Sequence, residues 1–235
     1  MSHNLSRRGF MVAAPLFLAG CATAQTGSPV RPARPAIPQQ YLSMYAAMQD
    51  GEFALPAIDL TGVDPQYWRR VVRYYGPETP GTVVVDPERR FVYLVLEDGE
   101  CVRYGCGVGR AGFGFKGDAV IQRKAQWPRW TPTPNMIRLD PERNGPFAGG
   151  VPGGPANPLG ARALYLYRGG VDTLYRIHGT NEAWSIGRSV SSGCIRLFNQ
   201  DIIDLYGRVP TGARVVVLQP GSADRSGNPA TSAEV

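Results

Sequence analysis

Glycine and proline are the feature of this sequence that most constrains its fold. The chain has 29 glycines and 21 prolines among its 235 residues. Proline breaks helices from within and glycine weakens them, so this density disfavours a helical bundle. It favours short strands that are joined by many turns and loops.

Long stretches of the chain are typical of β-strands separated by turns. Residues 82–109 read TVVVDPERRFVYLVLEDGECVRYGCGVG, in which Asp86-Pro87-Glu88 and Asp98-Gly99 predict two hairpin connections. Further along the chain, Gly169-Gly170 separates two more β-rich runs. We therefore predict a mostly β domain.

Three short helices are predicted beside the strands. Residues 41–50 carry apolar side chains at helical spacing. Residues 64–75 begin with Asp64-Pro65, a capping residue followed by the ring that suits the first helical position. A third helix is predicted over residues 199–206, and the stretch ARVVVL after it predicts a closing strand.

The N-terminus has the pattern of a bacterial export signal. The stretch SRRGFMVAAPLFLAGC combines the twin arginine Arg7-Arg8 with an apolar run that is too short to span a bilayer. Its end is typical of a lipobox, so residues 1–20 are predicted to be a Tat-type lipoprotein signal peptide with Cys21 as the lipidation site. The alternative is an ordinary cleaved signal in which Cys21 has no role. We expect export to the periplasm, with a membrane tether through a lipid anchor.

The remaining chain divides by composition. Residues 21–40 are predicted to be a Pro-rich tether, and residues 41–79 a helical N-terminal extension. Residues 80–218 form the main domain, and residues 219–235 form a polar, disordered tail. Inside the main domain, residues 144–160 are so rich in glycine and proline that we predict a long irregular excursion. Whether it closes over a substrate is left open.

Charge and motif content narrow the range of partners. The formal net charge is +6, to which Arg7 and Arg8 of the predicted signal contribute two positive charges. No block of basic residues with interleaved aromatic residues occurs, so no nucleic-acid partner is expected. No spacing of histidine, cysteine and aspartate suggests a metal site, and no cofactor is predicted.

Cysteine usage singles out one thiol. Cys101 and Cys106 lie five residues apart in a predicted strand. That spacing directs them to opposite faces, about 16 Å apart, which excludes a disulfide between them. We interpret both as small buried hydrophobic residues. Cys194 has no evident partner, and an unpaired thiol in an exported chain is a candidate nucleophile.

One histidine, His178, remains once the signal is removed. It ends the predicted strand TLYRIHG, sixteen positions before Cys194. A thiol is only slightly ionised at neutral pH, so a nucleophilic cysteine needs a neighbouring base, and imidazole is well suited to that role. The alternative is a structural histidine and an inert buried cysteine.

The residues around this pair favour catalysis. Gly179 and Gly193 remove side chains beside the expected path of attack, and the amides near Gly193 and Cys194 can stabilise a developing oxyanion. Arg196 shares the strand face of Cys194, where it can bind a substrate carboxylate bidentately. The alternative for Arg196 is a salt bridge at the sheet surface.

The segment IHGTNEAWSIGRSVSSGCIRL, residues 177–197, resembles the signature of the L,D-transpeptidase catalytic domain of the YkuD type. The stretches NPLGARALYL and WPRWTPTPNMI also resemble segments that precede this signature in proteobacterial members. The resemblance covers residues 80–218. It implies an L,D-transpeptidase-like β-sandwich domain with a few short helices. This agrees with the β-strands that the sequence pattern predicts.

The resemblance also implies acyl transfer on peptidoglycan stem peptides. Cys194 would attack the carbonyl that joins the L-centre of diaminopimelate to a terminal D-alanine. His178 would take the thiol proton and pass it to the departing D-alanine, while the Gly179 carbonyl orients the imidazole. The thioester would then go to an amine of a second stem, giving a 3-3 cross-link, or to a wall-protein lysine, a free D-amino acid or water.

Further roles follow from the resemblance alone. Arg196 would steer a substrate carboxylate, and Ser191 would hold the cysteine loop. Ser192 stands where many members have a histidine, so His178 would be the only histidine base. The family uses no cofactor, and a carbapenem would be a covalent inhibitor. The alternatives are a hydrolytic wall amidase that uses the same thioester and a non-catalytic peptidoglycan-binding lipoprotein.

Overall fold

The computed structural model describes residues 36–109, 115–190 and 194–226. Several predictions lie outside the described residues: the signal peptide, most of the tether, most of the tail, Cys21, Ser191, Ser192 and Gly193. The described residues from Ile37 onward, including the predicted N-terminal extension, belong to one compact unit.

Strands dominate the described part of the chain. They are β1 (Met48–Asp50), β2 (Phe53–Leu55), β3 (Arg70–Arg73), β4 (Val83–Asp86), β5 (Phe91–Val95), β6 (Glu100–Gly105), β7 (Gly107–Gly109), β8 (Gly117–Gln126), β9 (Arg162–Arg168), β10 (Val171–His178), β11 (Ser189–Val190), β12 (Ile195–Arg196) and β13 (Arg214–Val217). The helices are α1 (Gln39–Met44), α2 (Pro134–Leu139), α3 (Pro141–Asn144) and α4 (Asn199–Arg208). Short 3-10 turns occur at Leu60–Gly62, Pro65–Tyr67, Gly145–Phe147 and Ala183–Ser185.

Eleven of these strands form one sheet in the order β11-β7-β12-β10-β9-β8-β13-β4-β5-β6-β3, while β1 and β2 form a separate hairpin. Neighbours in the large sheet are antiparallel except for the pairs β10–β12, β7–β11 and β4–β13. The fold is therefore mostly β with a few short helices, which confirms the predicted fold class.

Alternate residues of the sheet pack into two hydrophobic clusters. The first cluster contains one face of β4–β6 and of β8–β10 together with Ile202 and Leu205 of α4. The second cluster covers the opposite face of β4–β6 with aromatic side chains from residues 45–74. Cys106 belongs to the first and Cys101 to the second, and both are free and fully buried. The prediction of two small buried hydrophobic residues on opposite faces is confirmed.

The predicted hairpins are confirmed. β4 and β5 are joined by a turn in which the Asp86 carboxylate accepts a hydrogen bond from the N–H of Arg89 (2.9 Å). β5 and β6 are joined at Asp98-Gly99, where φ is 59° and 69°. Glycine and aspartate tolerate this left-handed geometry better than most residues. The predicted helix over residues 199–206 is also confirmed, as α4.

The helix predicted over residues 41–50 is wrong in its extent. α1 ends at Met44, and the chain then enters β1. The reason is a tertiary contact at Tyr45, whose hydroxyl donates to Asp201 Oδ2 (3.1 Å) and accepts from the N–H of Arg69 (2.6 Å). Tyr45 is buried in the second cluster, and these contacts outweigh the weak helical propensity of its neighbours.

The helix predicted over residues 64–75 is wrong in its type. Asp64 accepts a hydrogen bond from the N–H of Gln66 (3.0 Å), as a helix cap does, but the helical geometry ends with the 3-10 turn Pro65–Tyr67. The next residues form β3, which pairs antiparallel with β6. A helix of this length is marginal by itself, so sheet pairing prevails.

Candidate active site

Strands β10 and β12 determine where the predicted nucleophile and base lie. The two strands are parallel, with His178 opposite Arg196. Cys194 stands one residue before β12, and its carbonyl accepts a hydrogen bond from the N–H of Gly109 in β7 (3.2 Å). The backbone of Cys194 therefore continues the register of β12.

This register puts the thiol and the imidazole on one face of the sheet. Side chains alternate along a strand, so Cys194 faces the same side as Arg196 and as His178. Cys194 comes opposite Arg176, two residues before His178. The Cα atoms of Cys194 and His178 are thus diagonal neighbours about 8 Å apart, given the ordinary strand spacing and rise. Side chains at that separation on a shared face can meet.

Cys194 is half-buried, and its thiol forms no disulfide. Burial raises its pKa above the ordinary value. The backbone N–H of Arg176, together with the positive charges of Arg176 and Arg196, opposes that rise without cancelling it. The sulfur therefore keeps its proton at neutral pH, and attack requires a base that removes the proton during the reaction.

His178 is buried, with 4% of its surface exposed. Its Nδ1 lies 2.5 Å from the carbonyl oxygen of Gly179. Because a carbonyl only accepts hydrogen bonds, Nδ1 carries the hydrogen and Nε2 keeps its lone pair. Burial lowers the pKa of His178 to about 3, the charges of Arg196 and Arg176 act in the same direction, and two backbone carbonyls oppose them. The imidazole is therefore a neutral proton acceptor at pH 7.

Asn199, the first residue of α4, bonds to two backbone groups near His178. Its Oδ1 accepts a hydrogen bond from the N–H of Ala161 (2.9 Å), and its Nδ2 donates to the carbonyl of Thr180 (3.0 Å). The side chain thus ties the end of β10 to the start of β9. Our sequence analysis missed this residue, because an asparagine at a helix start is ordinary.

Gly160 and Gly179 make room for that side chain. A Cβ at either position would lie 2.2 Å from Oδ1 of Asn199, far inside van der Waals contact. Gly160 also has a φ of +61°, a conformation that favours glycine. A side chain at Gly179 would therefore exclude Asn199 from its position.

The irregular segment 144–160 is anchored by a buried amide. Asn157 is 1% exposed, and its Nδ2 donates to the carbonyls of Pro128, Val151 and Pro152 at 2.8–3.1 Å. These bonds satisfy carbonyl groups that the proline- and glycine-rich chain leaves outside the sheet ladder. The anchor precedes Gly160 and so supports the packing around His178.

Arg196 forms an ion pair with a residue of the loop between β10 and β12. Its Nη1 lies 2.6 Å from Oε2 of Glu182, and the Arg196 side chain is 8% exposed. The other carboxylate oxygen of Glu182 lies 3.6 Å from Nη2 of Arg143. Of the two predictions for Arg196, the structure shows the salt bridge. Nη1 of this guanidinium is therefore already bonded to the Glu182 carboxylate.

Arg176 is a second residue of the site that our sequence analysis missed. Its Nη1 and Nη2 donate to the two oxygens of Asp172, at 2.7 and 2.8 Å. The signal was present in TLYRIHG, because strand alternation puts Arg176 on the same face as His178.

Residues 80–217 match the family model described as YkuD, the L,D-transpeptidase catalytic domain. This chain belongs to the L,D-transpeptidase catalytic-domain family. The match includes every residue of the site described above.

Single members of the family give the extent of the similarity. The chain is 41% identical over 140 residues to the probable L,D-transpeptidase ErfK/SrfK of Escherichia coli strain K12, an alignment that covers 59% of this chain and 44% of that protein. The aligned part of this chain thus covers less than half the length of ErfK/SrfK, and the same holds for the probable L,D-transpeptidase YbiS of the same strain.

Two solved structures extend the comparison. A Brucella melitensis protein described as a probable carnitine operon oxidoreductase is 49% identical, over 68% of this chain and 99% of that chain, with a TM-score of 0.47. The L,D-transpeptidase 3 of Mycobacterium tuberculosis, in complex with a faropenem-derived adduct, is 17% identical over 59% and 60% of the two chains, with a TM-score of 0.41.

The described residues of this L,D-transpeptidase family member contain neither a candidate metal cluster nor a candidate membrane-spanning helix. No group of three or more histidine, cysteine, aspartate or glutamate side chains there is placed to hold a metal ion. Within the same residues, no helix has the length and apolar character needed to cross a membrane.

Proposed function

We propose that this chain is a peptidoglycan L,D-transpeptidase in which Cys194 is the nucleophile and His178 is the base. The observation that supports the proposal is the parallel register of β10 and β12, which makes the two residues diagonal neighbours on one face. The donor is a tetrapeptide stem, and the bond that breaks joins diaminopimelate to D-alanine. The neutral imidazole and the protonated thiol define the direction of the first proton transfer.

Acylation begins when the sulfur of Cys194 attacks the scissile carbonyl carbon. As the S–C bond forms, the thiol proton moves to Nε2 of His178, while Nδ1 stays hydrogen-bonded to the Gly179 carbonyl. The charges of Arg196 and Arg176 disfavour the imidazolium. The imidazolium therefore gives its proton readily to the departing amine, the C–N bond breaks, and D-alanine leaves behind a thioester.

The second half-reaction reverses the proton transfers. An acceptor amine, on a second stem peptide or on a wall protein, attacks the thioester carbonyl and loses a proton to His178. The proton returns to the sulfur as the C–S bond breaks, which leaves an amide cross-link and a free thiol. We assign the oxyanion contacts to the amides of Gly193 and Cys194. On the family resemblance we assign the support of the cysteine loop to Ser191, and we place Ser192 among the substrate-binding residues.

The proposal is tested by incubating the purified protein with disaccharide tetrapeptides. We expect release of D-alanine and formation of cross-linked dimers, both abolished by Cys194→Ala. Cys106→Ala is the matched control, because it removes a fully buried thiol that belongs to the first cluster. A carbapenem should add its mass to the wild type and to the control, but not to Cys194→Ala. Turnover by Cys194→Ala, or a folded wild type that releases no D-alanine, would overturn the proposal.

We further propose that the enzyme works in the periplasm, anchored to a membrane through a lipid on Cys21. The support is the sequence alone: a twin-arginine signal that ends in a lipobox. Cys21→Ser should move the protein from the membrane fraction to the soluble periplasmic fraction. Unchanged membrane association of this variant would contradict the anchor.

A further inference from the structure

A row of side chains crosses the sheet beside Cys194. The pairing of β8 with β9 sets Arg123 opposite Tyr165, and the pairing of β9 with β10 sets Tyr165 opposite Arg176. The register of β10 and β12 makes Cys194 the next member of the row. Three strand spacings, about 14 Å in all, separate the Cα atoms of Arg123 and Cys194.

The guanidinium groups of Arg123 and Arg176 both pack against the ring of Tyr165. The guanidinium carbon of Arg123 lies 4.4 Å from the ring centroid, and that of Arg176 lies 4.3 Å from it. The two side chains leave Tyr165 only 7% exposed. Cation–π attraction at these distances restrains a guanidinium, so Arg123 is held in a defined position although it lies at the surface.

One arginine of the row, Arg123, forms no direct ion pair among the described residues, although its charge helps to lower the pKa of Asp172. Asp172 neutralises Arg176 through two hydrogen bonds. No acidic side chain in the described part of the chain forms an ion pair with Arg123, whose recorded contact is with the ring of Tyr165. A planar guanidinium with available N–H groups matches a carboxylate bidentately.

A stem peptide matches this row in length and in charge. Three residues of the tetrapeptide precede the scissile bond, and they span about 10 Å when extended. That length covers the two strand spacings from Cys194 to Tyr165, on whose ring Arg123 is held. With the scissile carbonyl at Cys194, the residues before it can run across β10 and β9. A tetrapeptide stem can carry free carboxylates on its glutamate and on the D-centre of diaminopimelate. On the other side of Cys194, Gly109 has no side chain with which to recognise them.

We propose that Arg123, held on Tyr165 beside Arg176, binds a free carboxylate of the acyl-donor stem upstream of the scissile bond. This inference rests on the proposed function, because it places the donor carbonyl at Cys194. Arg123 is the residue that determines specificity, since its guanidinium packs on Tyr165 and forms no ion pair among the described residues. Arg176 is a positioning residue, because its own charge is already paired with Asp172.

The kinetic test compares Arg123→Gln with the wild type on four donors: the free stem, stems amidated at glutamate or at the diaminopimelate D-centre, and the doubly amidated stem. On the free stem, Arg123→Gln should raise KM about tenfold and change kcat less than twofold, as for a lost charge-assisted contact. The singly amidated donor that abolishes this difference identifies the carboxylate. Arg123→Lys, which keeps the charge and loses the planar fork, should give an intermediate KM.

Arg73→Gln is the matched control, because it removes the same charge from exposed β3, the last strand at the far end of the sheet order. It should leave KM unchanged for every donor. An equal rise in KM on all four donors, or no rise on any, would overturn the inference. So would a loss that appears only in kcat.

A binding measurement separates this inference from the proposed function. In the Cys194→Ala background, calorimetry with the free stem should show about tenfold weaker binding when Arg123→Gln is added. The same comparison with the doubly amidated stem should show no change. If the wild type turns over no donor while this binding difference is present, the proposed function fails and the carboxylate site stands. Equal affinities would overturn the site whatever the activity.

Discussion

The cysteines of the sheet differ in their exposure to solvent. At the β4–β5–β6 end the strands are antiparallel, and every residue of β4 and β5 is buried. Cys101 in β6 and Cys106, which stands between β6 and β7, are fully buried, and burial raises the pKa of both thiols, that of Cys101 to about 12. At the β7–β12–β10 end, β7 and β12 are only three and two residues long, and Cys194 is partly exposed.

This difference shows that the position of a thiol in the sheet sets its chemistry. Long paired strands satisfy their own backbone groups and exclude water, so a thiol among them is inert packing. At the start of a two-residue strand, Cys194 has a backbone N–H, two guanidinium charges and a neutral imidazole close by. Those groups can accept its proton and favour the negative charge that develops on sulfur.

The largest effect that tests this contrast is expected at His178. His178→Gln keeps a polar group that can donate to the Gly179 carbonyl, but it removes the base. Because the pKa of Cys194 is raised, few thiolates form without that base, and kcat/KM should fall about a thousandfold. The measurement is D-alanine release from a tetrapeptide donor.

A control shows that the loss in His178→Gln is chemical. The variant should keep the melting temperature of the wild type within a few degrees, and iodoacetamide should still modify Cys194 at pH 10. An activity within tenfold of the wild type would mean that another group takes the thiol proton.

A smaller effect is expected in the pH dependence of thiol modification. The folded pKa of Cys194 is raised, so the thiolate appears only as the pH rises above the ordinary value of about 8.5. Alkylation by iodoacetamide should therefore accelerate with a midpoint above that value. Cys101 and Cys106 should react about a thousandfold more slowly, since both need an opening of the fold. The measurement is peptide mass spectrometry after timed quenching at each pH.

Two results would break the contrast between the thiols. A midpoint below pH 7 at Cys194 would indicate a preformed thiolate–imidazolium pair, which the low pKa of His178 opposes. Modification of Cys106 at the rate of Cys194 would mean that the β6 end is not closed to reagent.

Local chemistry made much of this molecule predictable from its sequence. The hairpin at Asp98-Gly99 follows from two residues that tolerate positive φ. The continuous apolar runs of β4 and β5 match their burial on both faces. α4 has a clear apolar face. The signature around His178 and Cys194 named the two central residues, because their chemistry depends on residue type.

The rest depends on contacts between distant parts of the chain. The parallel pairing of β10 with β12 is set by the whole sheet, and a shift of one residue would turn Cys194 away from His178. The role of Asn199 depends on the approach of Gly160 and Gly179, which lie in different segments. The helix predicted over residues 41–50 is too long because Tyr45 contacts Asp201 and Arg69, which are distant in sequence, and local sequence patterns carry no information about such contacts.

The smallest effect we predict tests whether activity needs the Asn199 clamp, by which we mean the hydrogen bonds from the Asn199 side chain to the backbone of Ala161 and Thr180. Asn199→Ala removes the hydrogen bonds to Ala161 and Thr180 and leaves both backbone groups buried, at a cost of about 2 kcal/mol in the free energy of unfolding. We also expect kcat to fall about tenfold, because the backbone beside His178 loses its support and the imidazole its fixed direction.

Asn144→Ala is the control for that variant. Asn144 is also buried, and its Nδ2 donates to the carbonyls of Met136 in α2 and of Asp140, which lies between α2 and α3; neither acceptor belongs to β9, β10 or β12. It should lose a similar unfolding free energy, measured by urea denaturation, with kcat unchanged. If both variants keep kcat, the orientation of His178 is held by its bond to Gly179 alone. If both lose kcat equally, activity follows stability, and the clamp has no role of its own in the site.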